Sequence, residues 1–392
     1  MGHGAPPADD ARAAILEICR SVNARTVTKG KSMVAEELHL NQFLERNDIR
    51  PIETDLGEYI VQLADEPPSH IIGPAIHKTK DQVSDLFQQH HRQYGMSERQ
   101  TEPQKMIAEA RQVLRQKFQD ADVGITGANF LIAETGSTMI VTNEGNGDLT
   151  QMLPRIHVVV TSIEKVVPTL EDAATVLRVL ARSATGQEFS AYTTLSTGPK
   201  RADDLSGPDE FHIVILDNGR SAMLGTEFQD MLRCIRCGAC MNHCPVYQSV
   251  GGHSYGAVYV GPMGAVLTPS LRGIDEARHL PSASTFCGRC ESVCPMQIPL
   301  PKMMRHWREQ AFQTGASPAM ERTAVKLWAF IARRPALYRP GARVAAWLLA
   351  KLGGDDGRLR KLWGASGWTR GRDLPAPAGD TFQAQWRKRA RS

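Results

Sequence analysis

Long apolar runs are missing from this chain: no stretch approaches the roughly 18 uninterrupted apolar residues of a membrane-spanning helix. A leader is missing as well. The opening MGHGAPPADD is polar, Pro-rich and acidic, where a signal peptide needs a basic start and a hydrophobic centre. Together these absences lead to the expectation of a cytoplasmic protein. No GxGxxG opens a helix after a strand, so a dinucleotide site of the common type is unsupported. No nucleic-acid recognition motif accompanies the basic terminus Arg387, Lys388, Arg389 and Arg391, which reads as solvated. The same lack argues against a cluster-bearing redox or iron sensor. Cysteine is nearly absent outside one block, since seven of the eight lie at 234–294 and only Cys19 lies elsewhere. That clustering excludes a disulfide framework, which would spread its cysteines over a short secreted chain, and favours metal ligation.

What is present is ordinary globular composition: 392 residues, 42% hydrophobic and 22% charged, enough for one large core or two modest ones. The formal net charge of +4 hides an asymmetry. From Lys302 onward there are 19 Lys or Arg against 6 Asp or Glu, and all 6 tryptophans fall between Trp307 and Trp386. Up to about residue 219, short β-branched runs such as HVVVT at 157–161 and HIVIL at 212–216 alternate with helical patterns such as 102–118. This rhythm predicts an α/β domain with a mainly parallel sheet over residues 1–220. An α-helical ferredoxin-type module carrying the cysteines follows at 221–312. A helical, basic C-terminal domain occupies 313–392, with helical pattern from 317 to 352 broken at Pro335 and Pro340 and an irregular extension beyond. The stretch 326–351 mixes aromatic and aliphatic residues with arginine, a composition suited to an acidic membrane surface or subunit. Packing of its apolar side within the chain, with a basic outer face, is the favoured reading. Cys19, in the amphipathic AAILEICRS, reads as a buried structural thiol.

Cys234, Cys237, Cys240 and Cys244, followed by Pro245, form a C-x2-C-x2-C-x3-C-P run. In this arrangement three closely spaced thiolates hold one cubane, while the fourth cysteine reaches the other cluster. The block repeats at 284–295 with Ser284 in the first cysteine's place, a half-eroded duplication that supplies Cys287, Cys290 and Cys294. Crossed ligation then predicts Cys234, Cys237, Cys240 and Cys294 on a first cluster, and Cys244, Cys287 and Cys290 on a second. The second is one thiolate short. It is a three-iron cluster, or a four-iron cluster completed by serine, water or substrate. Zinc knuckles also use CxxC pairs, but as isolated pairs rather than a run with a matching partner.

Ahead of this block lie phrases too polar for a plain core: KSM at 31–33, ETDLGE at 53–58, PSH at 68–70, GANF at 127–130, AETG at 133–136 and NEGN at 143–146. With CIRCGAC and GGHSYGAVYVGP they resemble the lactate-utilisation protein B family. Its members are iron-sulfur subunits of a three-protein bacterial system that oxidises L-lactate to pyruvate. The resemblance implies a lactate-utilisation (LUD) domain related in fold to sugar-phosphate isomerases and CoA transferases. It further implies a ferredoxin module with two four-iron clusters, a short C-terminal domain, and other lactate-utilisation subunits as partners. Family members usually carry a further N-terminal segment before the point matching Gly2-His3-Gly4-Ala5. The resemblance leaves the electron acceptor open.

The small residues at 126–129 and 135–137 suit tight strand-end turns whose amides would hold a carboxylate. His70, His77, Glu134 and Glu144 are candidate bases for a hydroxy acid. Lactate loses two electrons whereas a cluster takes one, so the chain reads as the electron-transfer subunit. The alternative is an oxidoreductase in which this chain itself binds the hydroxy acid.

Overall fold

A β-branched run without polar alternation is a strand that must be covered on both faces. In the computed structural model every residue of the run at 156–162 is buried. The described residues are 2–5, 8–362 and 366–390. Met1, Pro6 and Pro7 of the stretch read for a leader, and Trp363 and Arg391 of the basic tail, lie outside them. The chain divides into two compact units, Met1–Ala316 and Ser317–Ser392.

The strands of the first unit are, in chain order, β1 (Gly2–Ala5), β2 (Thr26–Lys29), β3 (Arg50–Glu53), β4 (Val123–Thr126), β5 (Phe130–Ile132), β6 (Ser137–Thr142), β7 (Ile156–Ser162), β8 (Val166–Val167), β9 (Tyr192–Ser196) and β10 (Glu210–Leu216). Six of them form one sheet in the order β1-β10-β7-β4-β2-β3, and every pairing in it is parallel. The expected parallel α/β domain is therefore present, with both quoted runs as strands and the pattern at 102–118 as the helix Pro103–Gln119. A smaller sheet, β8-β5-β6-β9, stands beside it. Its core is Phe130, Ile132, Met139 and Ala173.

Apolar side chains of the helix Ala8–Ser21 pack with Val27, Ile125, Val158 and Val214 on one side of the large sheet. Cys19 is fully buried there, as read from the sequence, and burial pushes its thiol up to about 12, with Asp122 adding to the rise.

The chain runs from β2 to β3 on one side, whereas β4 opens the sheet on the other. The carboxyl ends of β2 and β4 therefore flank a topological switch point, where open α/β sheets hold their ligands.

The cysteine-bearing part of the unit is built of short helices, among them Gly261–Arg272 and Leu300–Thr314, around a core of Met241, Met263, Val266, Met303 and Trp307. The Trp307 ring stacks on Phe228 at 4.0 Å, and its N–H donates to the Val266 carbonyl at 3.0 Å. Ile71, from the α/β part, belongs to this same core.

In the second unit the helices Ala319–Ala332 and Pro335–Leu352 pack on each other, and neither buries a residue. The expected burial of their apolar side is thus not found within this unit. The predicted break at Pro335 is there, but the one at Pro340 is not. Pro340 sits inside the second helix, which runs on past the single hydrogen bond that proline cannot donate. Beyond Leu352 the chain is more regular than expected: Arg358–Leu359 pairs with Leu374–Pro375, and Phe382–Arg389 is a helix capped by Thr381.

Candidate functional site

Two places in the first unit gather the residues singled out in the sequence: the paired cysteine loops and a cavity at the switch point.

The duplication visible in the cysteine block is repeated in backbone geometry. Arg236 and Gly238 have φ of 61° and 76°, and their counterparts Phe286 and Gly288 have 55° and 80°. After each pair comes a one-turn helix, Ala239–Asn242 or Arg289–Ser292, and the two helices pack on each other. Both loops make the same backbone bonds, Met241 and Asn242 donating to the Gly238 carbonyl as Glu291 and Ser292 donate to that of Gly288. A left-handed residue on either side of Cys237, and of Cys287, turns each loop back on itself.

All seven cysteines of the block are free thiols. The electrostatic influence of Cys234 and Cys294 reaches Cys237, and that of Cys244 and Cys287 reaches Cys290. Cys240 lies between the groups and senses Cys234, Cys237 and Cys290. Burial pushes Cys237 and Cys290 up to about 11 and Cys240 well above its ordinary value. The exposed Cys287 is lowered, chiefly by the Arg289 backbone N–H. Backbone N–H groups also reach the sulfurs elsewhere, with Ala239 on Cys237, Met263 on Cys240, Glu291 on Cys290, and Ile298 donating to Cys294 Sγ at 3.5 Å. Free thiols supplied with amide donors suit an iron-sulfur cluster, whose sulfurs such bonds stabilise.

Ser284, at the eroded position, accepts at its Oγ from the Phe286 N–H at 3.1 Å. Arg308 donates to the Ser284 carbonyl at 3.3 Å and lies over the Phe286 ring at 4.2 Å.

A buried ionic chain, which the sequence reading missed, leads from the sheet to the first loop. Arg220, with no exposed surface, donates to both carboxylate oxygens of Glu37 at 2.9 and 2.6 Å and meets Glu164 at 2.9 Å. Arg236, between Cys234 and Cys237, meets the other oxygen of Glu164 at 2.8 Å, and Tyr259 donates to Glu37 at 2.6 Å. Against the upward push of burial, Arg236, Arg220 and Lys165 hold Glu164 down to about 2. An arginine between two cysteines was the only trace of this chain in the sequence. Its ion-pair partner Glu164 lies 72 residues away, and Glu37 lies 183 residues from Arg220.

The cavity, of about 500 Å³, is lined at the ends of β2 and β4 by residues 30–32 and 127–129. Lys165 and Ser162 line it at the end of β7, Glu144 and Asn146 at the start of the helix Asn146–Met152, and Ile235 and Arg236 where it meets the first cysteine loop. Burial lowers the Lys165 ammonium to about 8, with Arg236 pushing the same way. The predicted anion-binding turn at 126–129 thus lies on the cavity through residues 127–129. The turn at 135–137 closes the β5–β6 hairpin instead, where Thr135 donates to Ser137 Oγ at 2.8 Å.

Of the four candidate bases only Glu144 lines this cavity, and burial followed by the charge of Asp55 raises its pKa. His70 has both ring nitrogens engaged, Nδ1 accepting from the Ile72 and Gly73 N–H groups and Nε2 donating to Asn242 Oδ1 at 3.0 Å. It fastens the α/β part to the first cysteine loop. His77 is held between Ser69 and Glu66, and Glu134 accepts from the Leu170 N–H at the start of the helix Leu170–Thr185.

Three parts of the chain match family models. Residues 2–216 match the LUD domain family, 230–298 the 4Fe-4S dicluster domain, and 289–391 the C-terminal domain of lactate utilisation protein B. Lactate utilization protein B of Geobacillus kaustophilus (strain HTA426) is 45% identical over 382 residues, covering 97% of this chain and 79% of its own. That of Lysinibacillus sphaericus (strain C3-41) is 46% identical, covering 98% and 80%, and that of Bacillus subtilis (strain 168) 44%, covering 97% and 79%. With its domains in this order and its similarity running almost end to end, the chain belongs to the lactate utilisation protein B family.

Proposed function

We propose that this chain is the iron-sulfur electron-transfer subunit of a bacterial L-lactate oxidation system, passing electrons between partner lactate-utilisation subunits and an acceptor. Membership of the family supports a role in lactate utilisation, and the dicluster domain supports iron-sulfur electron transfer. The observation that carries the finer reading is the interleaving of the two cysteine groups, in which Cys294 neighbours Cys237 while Cys244 neighbours Cys290. It supports crossed ligation, with Cys234, Cys237, Cys240 and Cys294 on one cluster and Cys244, Cys287 and Cys290 on the other. When bound, the clusters supply one-electron storage at two adjacent points, which matches the two electrons released by L-lactate.

The chain's own residues set the surroundings. Arg236, Glu164 and Arg220 fix the first loop by ion pairs, and amide donors stabilise the sulfur charge. In this reading the first cluster is of the four-iron type, and the second is a four-iron cluster completed by a non-cysteine ligand or a three-iron cluster. The protein works in the cytoplasm, and its basic, aromatic C-terminal helices offer peripheral contact with an acidic membrane. The test is the bleaching of cluster absorbance under anaerobic conditions. L-lactate together with the partner subunits should reduce the full chain and L-lactate alone should not. Reduction by lactate alone would place the dehydrogenating site in this chain and overturn the reading.

A further inference from the structure

The two cysteine loops share a backbone and differ in where they carry charge. Arg236 precedes Cys237 with φ of 61°, and Phe286 precedes Cys287 with 55°, so the left-handed conformation does not itself call for arginine. The Arg236 guanidinium donates to the Cys234 carbonyl at 3.3 Å and to Glu164 at 2.8 Å, and it lies over the Tyr259 ring at 5.2 Å. In the second loop Arg289 is exposed, where solvent screens its charge. Arg308 is half-buried on the Pro281 and Ser284 carbonyls.

The ionic chain behind Arg236 is not neutral. Its cations are Arg236, Arg220 and Lys165, and its carboxylates are Glu164 and Glu37 alone. A buried cation in surplus requires a counter-charge. The electrostatic influence of Cys234 reaches both Arg236 and Lys165, which makes this cysteine the anion they face. An iron-sulfur cluster gains one negative charge on reduction. A fixed cation beside it, in an interior of low dielectric, favours the reduced form and raises the potential.

We propose that Arg236, held by Glu164, sets the potential of the first cluster, keeping it easier to reduce than the cysteine loop alone would. The inference deepens the electron-transfer reading and rests on it for the presence of the clusters. The electron affinity of the first cluster is then governed from the α/β part, through Glu164.

The full chain is purified anaerobically, its iron is counted, and both clusters are titrated with reductant while paramagnetic resonance follows each. The first cluster is the one that Cys237→Ala damages. Arg236→Gln should lower the ratio of reduced to oxidised first cluster at least tenfold at a fixed potential, a midpoint shift of about 59 mV for one electron. The second midpoint should move less than half as far, with iron content unchanged, and Arg236→Lys should keep most of the native value. Glu164→Gln, which removes a negative charge, should shift the first midpoint the other way. A merely structural ion pair would not give opposite signs for its two members. Should Arg236→Gln load less iron, Lys165→Met replaces it in the comparison, with a fall of the first midpoint expected. An unchanged first midpoint, or shifts of one sign on removing cation and carboxylate, would overturn the proposal and leave the electron-transfer reading standing. Failure of L-lactate with the partner subunits to reduce either cluster would overturn that reading instead, whatever the midpoints.

Discussion

Glu164 ties the first cysteine loop to the sheet, because one carboxylate holds Arg220 on one side and Arg236 on the other. Removing one member of a buried ionic chain strands the others, typically at about 3–5 kcal/mol. Arg220→Ala should therefore lower stability to denaturant by that order, since it leaves Glu37 without its buried cation and Glu164 with Arg236 as its remaining ion-pair partner. A loss under about 1 kcal/mol would mean that the chain relaxes without it. His157 supplies a pH dependence. Buried in β7 beside Thr126 at 2.8 Å, it is pushed by burial down to about 3, whereas an unfolded imidazole titrates near 6.5. Between those values the unfolded chain binds a proton that the native chain refuses. This contribution is therefore complete above about pH 6.5 and is lost as pH falls, by about 2 kcal/mol at about pH 5. Denaturant titrations from neutral to acid pH should show that loss, and His157→Gln should flatten it. The cysteines were legible in the sequence because their ligation is local, with spacings of three and four. Glu164 and Lys165 were not, because their meaning comes from neighbours that only the folded sheet supplies.

At the level of elements, the two cysteine loops are one motif used twice, and the repeat shows in paired φ values as clearly as in residues. Their glycines differ in surroundings. A Cβ on Gly238 would lie 3.2 Å from Ile72, while one on Gly288 would meet nothing within 4 Å, so at 288 only the left-handed backbone resists substitution. Gly288→Ala should cost about 1 kcal/mol and Gly238→Ala more, read from denaturation midpoints of the cluster-loaded chain. Gly252 is more constrained still, since a Cβ there would stand 1.7 Å from the Ser69 carbonyl of the LUD part. This explains the second glycine of GGHSYGAVYVGP, while the first, Gly251, is left-handed with φ of 74°. Crossed ligation makes its own prediction, in which Cys294→Ala damages the first cluster and Cys244→Ala the second, each read by paramagnetic resonance. Loss of the cluster nearest in sequence would show uncrossed ligation. The strands and the helix at 103–119 were legible because period and composition agree there. Pro340 misled, because one missing hydrogen bond does not end a helix whose neighbours carry it. The short pairing and helix beyond Leu352 carry too little periodicity to be read.

At the scale of the molecule, no described helix is long and apolar enough to cross a membrane, and the chain spans about four fifths of the relatives it matches. The family was readable from phrases such as ETDLGE and CIRCGAC, which the fold explains. ETDLGE runs from the last residue of β3 to the buried Glu58, and CIRCGAC is the first left-handed loop. The electron-transfer account needs two clusters on these seven thiols, and metal analysis of the anaerobically purified full chain tests that most directly. It predicts about seven to eight irons with matching sulfide per chain, and on reduction a broadened resonance from two interacting spins. Four irons or fewer, or zinc in their place, would contradict it.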